Sequence, residues 1–205
     1  MADDKASRKQ IILKEAARLF REKGYIASNL RELARRAGIQ GGSLYHHFDS
    51  KQEILFQLMD NTMTDMVTSL STLLAETTDP EEQLRQLMRF HISYTICGPD
   101  ETYITDDELR NLNADNYLQI IAKRDAYQKL FEEVFLSGSQ QQGWLVVDHK
   151  LIARAAIQMG TGVASWYQPD GPMSIDQISE YYADLLCKGL LPRNSDQPNS
   201  RKNRC

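Results

Sequence analysis

Several features that mark other classes of protein are scarce or missing in this 205-residue sequence. No apolar run approaches the roughly 18 residues that a membrane span needs, and residues 1–10 are polar where a secretory signal would be apolar. The three cysteines, Cys97, Cys187 and Cys205, are odd in number and far apart, which excludes a disulfide framework and a metal cluster. We therefore expect a cytoplasmic protein with no metal and no other cofactor.

Signals of catalysis are missing as well. The sequence has no Gly-rich phosphate loop and no spacing of residues typical of metal ligands. His91 and Cys97 would supply the residue types of a Cys–His site, but no catalytic motif orders them. The sequence therefore does not favour a catalytic function.

The charge is divided unevenly along the chain. Residues 1–60 hold 11 Lys and Arg against 8 Asp and Glu, residues 61–192 hold 9 against 19, and the last thirteen hold 4 against 1. The net charge of −4 therefore conceals a basic N-terminal module on an acidic body. This pattern favours a nucleic-acid partner for the module, although so modest an excess is also found on ordinary solvated surfaces.

Scarce proline and recurrent helix-start signals predict an all-α protein. Residues 12–20 show the apolar spacing of a first amphipathic helix. Further helices are predicted after a cap at Ser28, from Ser50 toward Glu76, from Asp79 to Cys97, from Ala114 to Gln141, from Asp148 to Tyr167 and from Ser174 to Lys188. Gly98-Pro99-Asp100 predicts a break, Thr105-Asp106-Asp107-Glu108 predicts a capping box, and residues 192–205 predict a disordered tail.

The most informative stretch is residues 20–48, FREKGYIASNLRELARRAGIQGGSLYHHF. Leu33 and Ala34 lie on one face of a predicted helix. Gly38 can adopt the left-handed conformation that turns the chain sharply, and residues 43–48 leave room for about one and a half further turns. Two short helices joined by a tight turn are typical of a helix-turn-helix, whose second helix enters the DNA major groove.

The residues of this stretch also fit a family pattern at fixed spacing. Phe20-x-x-x-Gly24-Tyr25-x-x-Ser28 leads into Leu30-x-x-Leu33-Ala34-x-x-Ala37-Gly38-Ile39, and Gly42-x-Leu44-Tyr45-x-His47-Phe48 follows. They resemble the DNA-binding domain of the TetR family of one-component bacterial regulators over about residues 8–56. One departure is Asn29, where a second hydroxyl residue is frequent.

The resemblance implies a three-helix DNA-binding head, residues 1–50, and a helical ligand-binding and dimerisation domain, residues 51–191. It further implies a homodimer on a palindromic DNA operator that represses transcription and is released when a small molecule binds. Whether such a regulator represses or activates stays open at this point.

Ten residues of the head are predicted to contact DNA. Backbone amides at the start of a helix attract phosphate, which favours Ser28 and Asn29, and Lys51 can meet a phosphate as a point charge. Glycines remove side-chain bulk where the second short helix begins. Together with the positions that the resemblance implies, the predicted contacts are Ser28, Asn29, Arg31, Gln40, Gly41, Gly42, Ser43, Tyr45, His46 and Lys51. Leu44 and Phe48 are expected to pack inward.

The body offers a dimer surface and a ligand site. The resemblance implies that the last two helices pair between two copies. Small residues from Ile152 to Ala164, with a close helix crossing at Gly160, and an apolar face from Ile178 to Leu186 fit that pairing, although they would serve equally as the core of one chain. The resemblance implies a ligand pocket, for which flexible methionines, aromatic rings and anion-binding arginines are the candidate lining. Its predicted residues are Met63, Met66, Phe90, His91, Tyr94, Arg110, Tyr117, Arg124, Tyr127 and Trp166, with Arg154 as a further anchor for an anion.

A second, looser resemblance concerns the kind of ligand. Glu108-x-Arg110-x-Leu112, Arg124-Asp125-x-Tyr127 and Trp166-Tyr167-x-Pro169-x-Gly171 follow in order through the body. They resemble TetR-type regulators of fatty-acid and steroid-ring breakdown, which implies an acyl-CoA effector. Two alternatives stay open: a repressor of an efflux gene that senses cationic drugs, which acidic residues in the pocket would favour, and an architectural DNA-binding protein without an effector.

Overall fold

The computed structural model describes the backbone of residues 2–190, and their side chains except those of residues 2–6 and 99. Within these residues the chain forms nine α-helices and no β-strand, so the all-α prediction is confirmed. The helices are α1 (Ala2–Lys23), α2 (Leu30–Arg36), α3 (Gly41–Leu44), α4 (Lys51–Leu74), α5 (Pro80–Cys97), α6 (Pro99–Asp107), α7 (Ala114–Gln141), α8 (His149–Gly162) and α9 (Ile175–Leu190). The predicted disordered tail, residues 192–205, lies outside the described residues.

The turn before α2 differs from the prediction. The side chain of Asn29, and not that of Ser28, caps α2 by accepting a 2.9 Å hydrogen bond from the Glu32 amide. Asn29 has the extended backbone that a cap requires, whereas the Ser28 hydroxyl donates to the Gly24 carbonyl at 2.7 Å. The turn after α2 agrees with the prediction, because Gly38 has a φ of +67° and reverses the chain into α3.

The body is built around α5. This helix packs against α4, α7, α8 and α9, and its side chains Leu84, Leu87, Met88 and Ile92 are fully buried. The start signals of α4 and α7 act as predicted, with the Ser50 side chain capping α4 and α7 spanning the predicted Ala114–Gln141. The end of α8 at Gly162 comes before the predicted Tyr167, because the chain tightens into a 3-10 turn at Val163–Ser165.

One helix was not predicted from the sequence. Helix α5 ends before Gly98, and α6 begins directly after it. Pro99 lies in the first turn of α6, where its missing N–H costs no hydrogen bond. Thr105 lies near the end of α6 and donates its hydroxyl to the Glu101 carbonyl at 2.8 Å, so the predicted capping box is wrong. Glu108 follows as the C-terminal cap of α6 and leads into the 3-10 turn Leu109–Asn111.

Ala153, Ala156 and Gly160 of α8 face into their own chain, whereas Ala155 is exposed. A Cβ built on Gly160 would lie 2.3 Å from Cδ2 of His91 on α5, and Ala156 is fully buried. The prediction that Gly160 lies at a helix crossing between two copies is therefore wrong, since its missing side chain makes room for His91. Tyr181 and Leu185, on the predicted partner face of α9, are 71% and 59% exposed.

Candidate functional site

The exposed end of the head carries most of the predicted DNA contacts. Leu44 and Phe48 are buried as predicted, whereas Tyr45 is 58% exposed and His46 is also exposed. Exposed with them are Arg31, Gln40, Gly41 and Gly42, and Ser43 is half-buried. Gln40 precedes α3 and makes no capping hydrogen bond with its side chain, so its amide is available to a base edge or a phosphate.

The two glycines of α3 are not required by the fold of the chain. Neither Gly41 nor Gly42 has a positive φ, and a Cβ at either position would meet no atom within 4 Å. Glycine weakens a helix relative to alanine, so these residues carry a cost that nothing inside the described chain explains. They favour an outside surface that approaches the backbone closely, as the wall of a DNA groove does.

Lys51 and Ser28 are engaged inside the head. The Lys51 ammonium donates to the carbonyls of Ser28 at 2.6 Å and Ile26 at 3.2 Å and lies 4.4 Å from the centre of the Tyr25 ring. Partial burial lowers the pKa of Lys51, and the negative charge of Glu108 opposes that shift. Lys51 therefore braces the turn that presents the amides before α2. The buried Ser28 hydroxyl is itself used within that turn.

Arg35 lies on the same exposed face of α2 as Arg31 but was not predicted from the sequence. It lies one helical turn after Arg31, is exposed, and takes part in no ion pair within the described residues. The acidic residues nearby are occupied, because Arg36 bonds Glu22 at 2.7 Å and Glu32 at 3.0 Å. The spacing of Arg31 and Arg35 was the signal that could have identified both as one basic surface.

A cavity of about 350 Å³ lies in the body between α4, α5, α6, α7 and α8. Its lining residues are Met63, Met66, His91, Thr95, Thr102, Thr105, Asp106, Ile121, Arg124, Asp125, Tyr127, Gln128, Arg154, Ile157, Gln158 and Thr161. The inner residues, such as His91 and Thr105, are buried, whereas Asp125, Arg154 and Gln158 are exposed and mark the mouth. A volume of this size fits a small molecule.

Half of the predicted pocket residues line this cavity and half do not. Met63, Met66, His91, Arg124 and Tyr127 line it, as does Arg154. Phe90 faces a groove beside α9, and Tyr94 donates to Asp65 at 2.8 Å in a cleft beside α1. Arg110, Tyr117 and Trp166 are exposed at the surface outside the cavity. The four threonines of the lining were missed, because no pattern distinguishes them from other helical threonines.

His91 is the central polar group of the cavity wall. Its Nδ1 lies 3.0 Å from the Tyr127 hydroxyl, and its Nε2 lies 3.0 Å from the Ile157 carbonyl and 3.1 Å from the Thr161 hydroxyl. Burial lowers the pKa of His91 to about 4, with the Ile157 carbonyl opposing the shift. His91 is therefore neutral near pH 7 and acts as a hydrogen-bonding group without charge.

The charged groups of the cavity are partly paired. Arg124 donates to the Thr105 carbonyl at 2.9 Å and to the Asp106 carboxylate at 2.8 Å. Arg154 donates to Gln128 at 3.2 Å and forms no ion pair within the described residues. Among those residues, no group of three or more His, Cys, Asp or Glu side chains is placed to hold a metal ion. The cavity therefore offers one paired and one unpaired guanidinium to an anionic ligand.

The segment that forms one wall of the cavity also holds the head. The backbone amide of Tyr25 donates to the buried Glu108 carboxylate at 2.9 Å, and Arg21 of α1 donates to Asp100 at 2.8 Å. Gln52 at the start of α4 donates to the Tyr25 hydroxyl at 3.2 Å and to the Asn111 carbonyl. Together these contacts connect α1, the turn before α2 and the start of α4 to α6 and the 3-10 turn that follows it.

Known proteins resemble the chain over most of its length. The family model described as bacterial regulatory proteins, tetR family, matches residues 12–58, and that described as Tetracyclin repressor-like, C-terminal domain, matches residues 77–190. The HTH-type transcriptional repressor KstR2 of Rhodococcus jostii (strain RHA1) is 27% identical over 199 residues, which cover 94% of this chain and 98% of that protein. None of the helices between residues 2 and 190 combines the length and apolar character that crossing a membrane requires.

Two solved structures share the fold and part of the sequence. The TetR family transcriptional regulator PfmR from Thermus thermophilus is 34% identical, with a TM-score of 0.79 over 88% of this chain and 99% of that one. AibR, solved in complex with isovaleryl coenzyme A and operator DNA, is 29% identical, with a TM-score of 0.80 over 87% of this chain and 97% of that one. The chain belongs to the TetR family of bacterial transcriptional regulators.

Proposed function

We propose that this protein is a homodimeric repressor that leaves a palindromic operator when an acyl-CoA thioester enters the cavity. The family is one of DNA-binding regulators and not of enzymes, so the proposal concerns the assembly, the contacts and the effector. The observation that carries the effector class is the cavity, which combines apolar walls with two guanidinium groups. A regulator of this kind acts in the cytoplasm, where its operator lies.

We propose that DNA is contacted by exposed residues of α2 and α3 in the head, residues 1–50, and that Lys51 supports the turn before α2. Arg31 and Arg35 supply positive charge for phosphates, and Tyr45 and His46 project where bases or phosphates would lie. Ser43 and Gln40 add polar groups beside the two glycines. Lys51, Ser28 and Asn29 act mainly by shaping the turn whose amides face a phosphate.

The dimer surface of the proposal is the outward side of α8, α9 and the loop between α7 and α8. It carries large apolar side chains in water: Leu145 is 63% exposed, Val147 103%, Leu151 66%, Tyr181 71% and Leu185 59%. Soluble proteins rarely leave such a contiguous apolar patch uncovered. A second copy related by a two-fold axis would cover the patch with the same residues and would require inverted half-sites in the operator.

A CoA thioester suits the cavity because it joins an apolar acyl group to phosphates. Met63, Met66, Ile121 and Ile157 can pack against the acyl part, while Arg154 at the mouth can bond a phosphate. AibR, a relative at 29% identity, was solved with isovaleryl coenzyme A. That precedent supports the class of effector but does not specify the acyl group.

The test is a titration of the protein–operator complex with a panel of ligands. We expect acyl-CoA thioesters to release the operator and the matching free acids to act much more weakly, because the acids lack the charge-assisted phosphate bonds. A ligand releases DNA only if it binds the released state more tightly than the bound state. Release by cationic drugs and by no thioester would reject the proposal.

A repressor that senses cationic drugs is the second candidate, and one observation favours it. Two carboxylates, Asp106 and Asp125, line the cavity and would attract a cation. Asp106 is already paired with Arg124, and Asp125 lies exposed at the mouth, so neither is a buried counter-ion for a drug. An architectural protein without an effector would show no release by any member of the panel.

A further inference from the structure

The threonine hydroxyls of the cavity differ in what they leave open to a ligand. Thr95, Thr102 and Thr105 each donate their hydrogen at 2.8 Å to the backbone carbonyl four residues earlier. These three oxygens therefore offer only lone pairs to the cavity. Thr161 differs, because its one hydrogen-bond partner among the described residues is Nε2 of His91, at 3.1 Å.

The tautomer of His91 decides the direction of the bond to Thr161. The Ile157 carbonyl lies 3.0 Å from Nε2 and can only accept, so Nε2 carries the ring proton. Nδ1 is then the acceptor for the Tyr127 hydroxyl at 3.0 Å. The Nε2 proton is shared between the Ile157 carbonyl and the Thr161 oxygen. Thr161 therefore accepts from His91 and keeps its own hydrogen for a ligand.

Thr161 is half-buried and lies at the end of the cavity that adjoins a second cavity, which we call the inner end. The mouth is on the side of the exposed Arg154, whereas Thr95, Thr102 and His91 at the other end are buried. Thr95, Thr102 and Thr161 also line a neighbouring cavity of about 310 Å³ that reaches Arg21 of α1. The inner end of a bound acyl group would therefore meet hydroxyl groups in place of the apolar wall that suits a plain hydrocarbon.

We infer that the acyl group of the effector carries a ketone near its inner end, and that the Thr161 hydroxyl donates a hydrogen bond to it. The inference rests on the proposed function and narrows it from acyl-CoA thioesters in general to oxo-acyl thioesters. A ketone is an acceptor without a hydrogen, so it complements Thr161, the one lining threonine of the described residues whose hydroxyl hydrogen is not used by a backbone carbonyl. The chain Tyr127 to His91 to Thr161 points every hydroxyl and ring hydrogen in one direction, toward that ketone.

The test compares matched thioesters that differ by one oxygen atom. The probes are 3-oxobutanoyl-CoA, 5-oxohexanoyl-CoA and 7-oxooctanoyl-CoA, each beside its parent without the ketone, and the dissociation constants are measured by calorimetry on the full chain without DNA. At the chain length that brings the ketone to Thr161, we expect the oxo thioester to bind about threefold to tenfold more tightly than its parent. At the other lengths the pair should bind alike.

Variants of Thr161 attribute the preference to the hydroxyl. Thr161→Val keeps the shape of the side chain and should abolish the preference, whereas Thr161→Ser keeps the hydroxyl and should retain it. Thr95→Val is the matched control, because it removes a lining hydroxyl whose hydrogen is already used, and the preference should survive. Far-ultraviolet circular dichroism and thermal unfolding establish that each variant is folded. If Thr161→Val does not fold, the binding preference of Thr161→Ser tests the inference.

The possible failures are distinguishable. Equal binding of every oxo thioester and its parent by the native protein would overturn the inference while leaving the proposed function standing. The same holds if the preference persists in Thr161→Val or disappears in Thr161→Ser. If no thioester binds and none releases the operator, the proposed function fails and the inference fails with it.

Discussion

The Glu108 carboxylate accepts a 2.9 Å hydrogen bond from the backbone amide of Tyr25, and so holds the turn before α2 against the end of α6. Its other oxygen accepts from the side-chain amide of Asn111. Glu108 is buried although it is acidic, and each of its oxygens has a partner. A buried carboxylate satisfied in this way links the end of α6, a helix that lines the cavity, to the DNA-binding head.

We predict that Glu108→Gln weakens this link without touching the cavity lining. A neutral amide is a weaker acceptor than a carboxylate and places an NH2 group against a donor, so unfolding should become easier by about 1–3 kcal/mol. Operator release should then need more ligand, although the ligand affinity of the free protein stays the same. Asp115→Asn, on the exposed first turn of α7, is the control. Unchanged release curves would show that the link does not couple the sites.

The glycines of α3 lead to a prediction in which stability and function change in opposite directions. Gly41→Ala should stabilise the head by about 0.4–1 kcal/mol, because its Cβ meets no atom of the chain and alanine favours a helix. The same methyl group should weaken operator binding roughly tenfold if DNA comes close to the backbone there. Thermal unfolding and a gel-shift titration measure the two effects. A more stable protein with full operator affinity would contradict the proposed contact.

Leu185→Glu tests the dimer surface. A carboxylate on the exposed face of α9 would be buried against its own copy in a two-fold dimer, so we expect monomers in sedimentation experiments and weak operator binding. The fold of the monomer should remain, because Leu185 is 59% exposed within one chain. Leu118→Glu, at a leucine 64% exposed on α7, is the control and should stay dimeric. A dimeric Leu185→Glu would exclude this face.

His91 predicts how stability depends on pH. The pKa of His91 is about 4 in the folded chain, against an ordinary value of 6.5. Between pH 4 and 6.5, His91 is therefore protonated in the unfolded chain and neutral in the folded chain. The contribution of neutral His91 to the free energy of unfolding is complete above pH 6.5. As the pH falls toward 4, the free energy of unfolding decreases by roughly 3 kcal/mol. His91→Gln should remove this component from unfolding curves measured in that range. The groups facing His91, which are Tyr127, the Ile157 carbonyl and Thr161, do not themselves titrate there.

Sequence patterns predicted the elements that carry their own start signals. Asn113 at the start of α7 and Asp148 at the start of α8 cap helices by bonds to amides two or three residues ahead, so local sequence is sufficient. The prediction for the segment of α6 was wrong because Gly98-Pro99 is compatible both with the end of a helix and with a proline in the first turn of a new one. Packing against α4 and α1 decided between them.

The candidate site was less predictable, because the direction of a side chain depends on the helices around it. His91 and Phe90 are neighbours in sequence, yet one lines the cavity and the other lines a groove beside α9. Gly160 could have served a dimer crossing or an internal contact, and only the position of His91 distinguishes them. Lys51 is predicted to contact a phosphate, but its bonds to the carbonyls of Ser28 and Ile26 join residues more than twenty positions apart, which no local pattern indicates.

Different residues of α6 serve two purposes. Thr102, Thr105 and Asp106 line the cavity, whereas Asp100 and Tyr103 contact Arg21 of α1. Under the proposed function, substitutions of the three lining residues would change which ligand the repressor responds to and would leave the contacts with α1 in place. A few such changes would suit the same repressor to a different ligand without altering the helices that bind DNA.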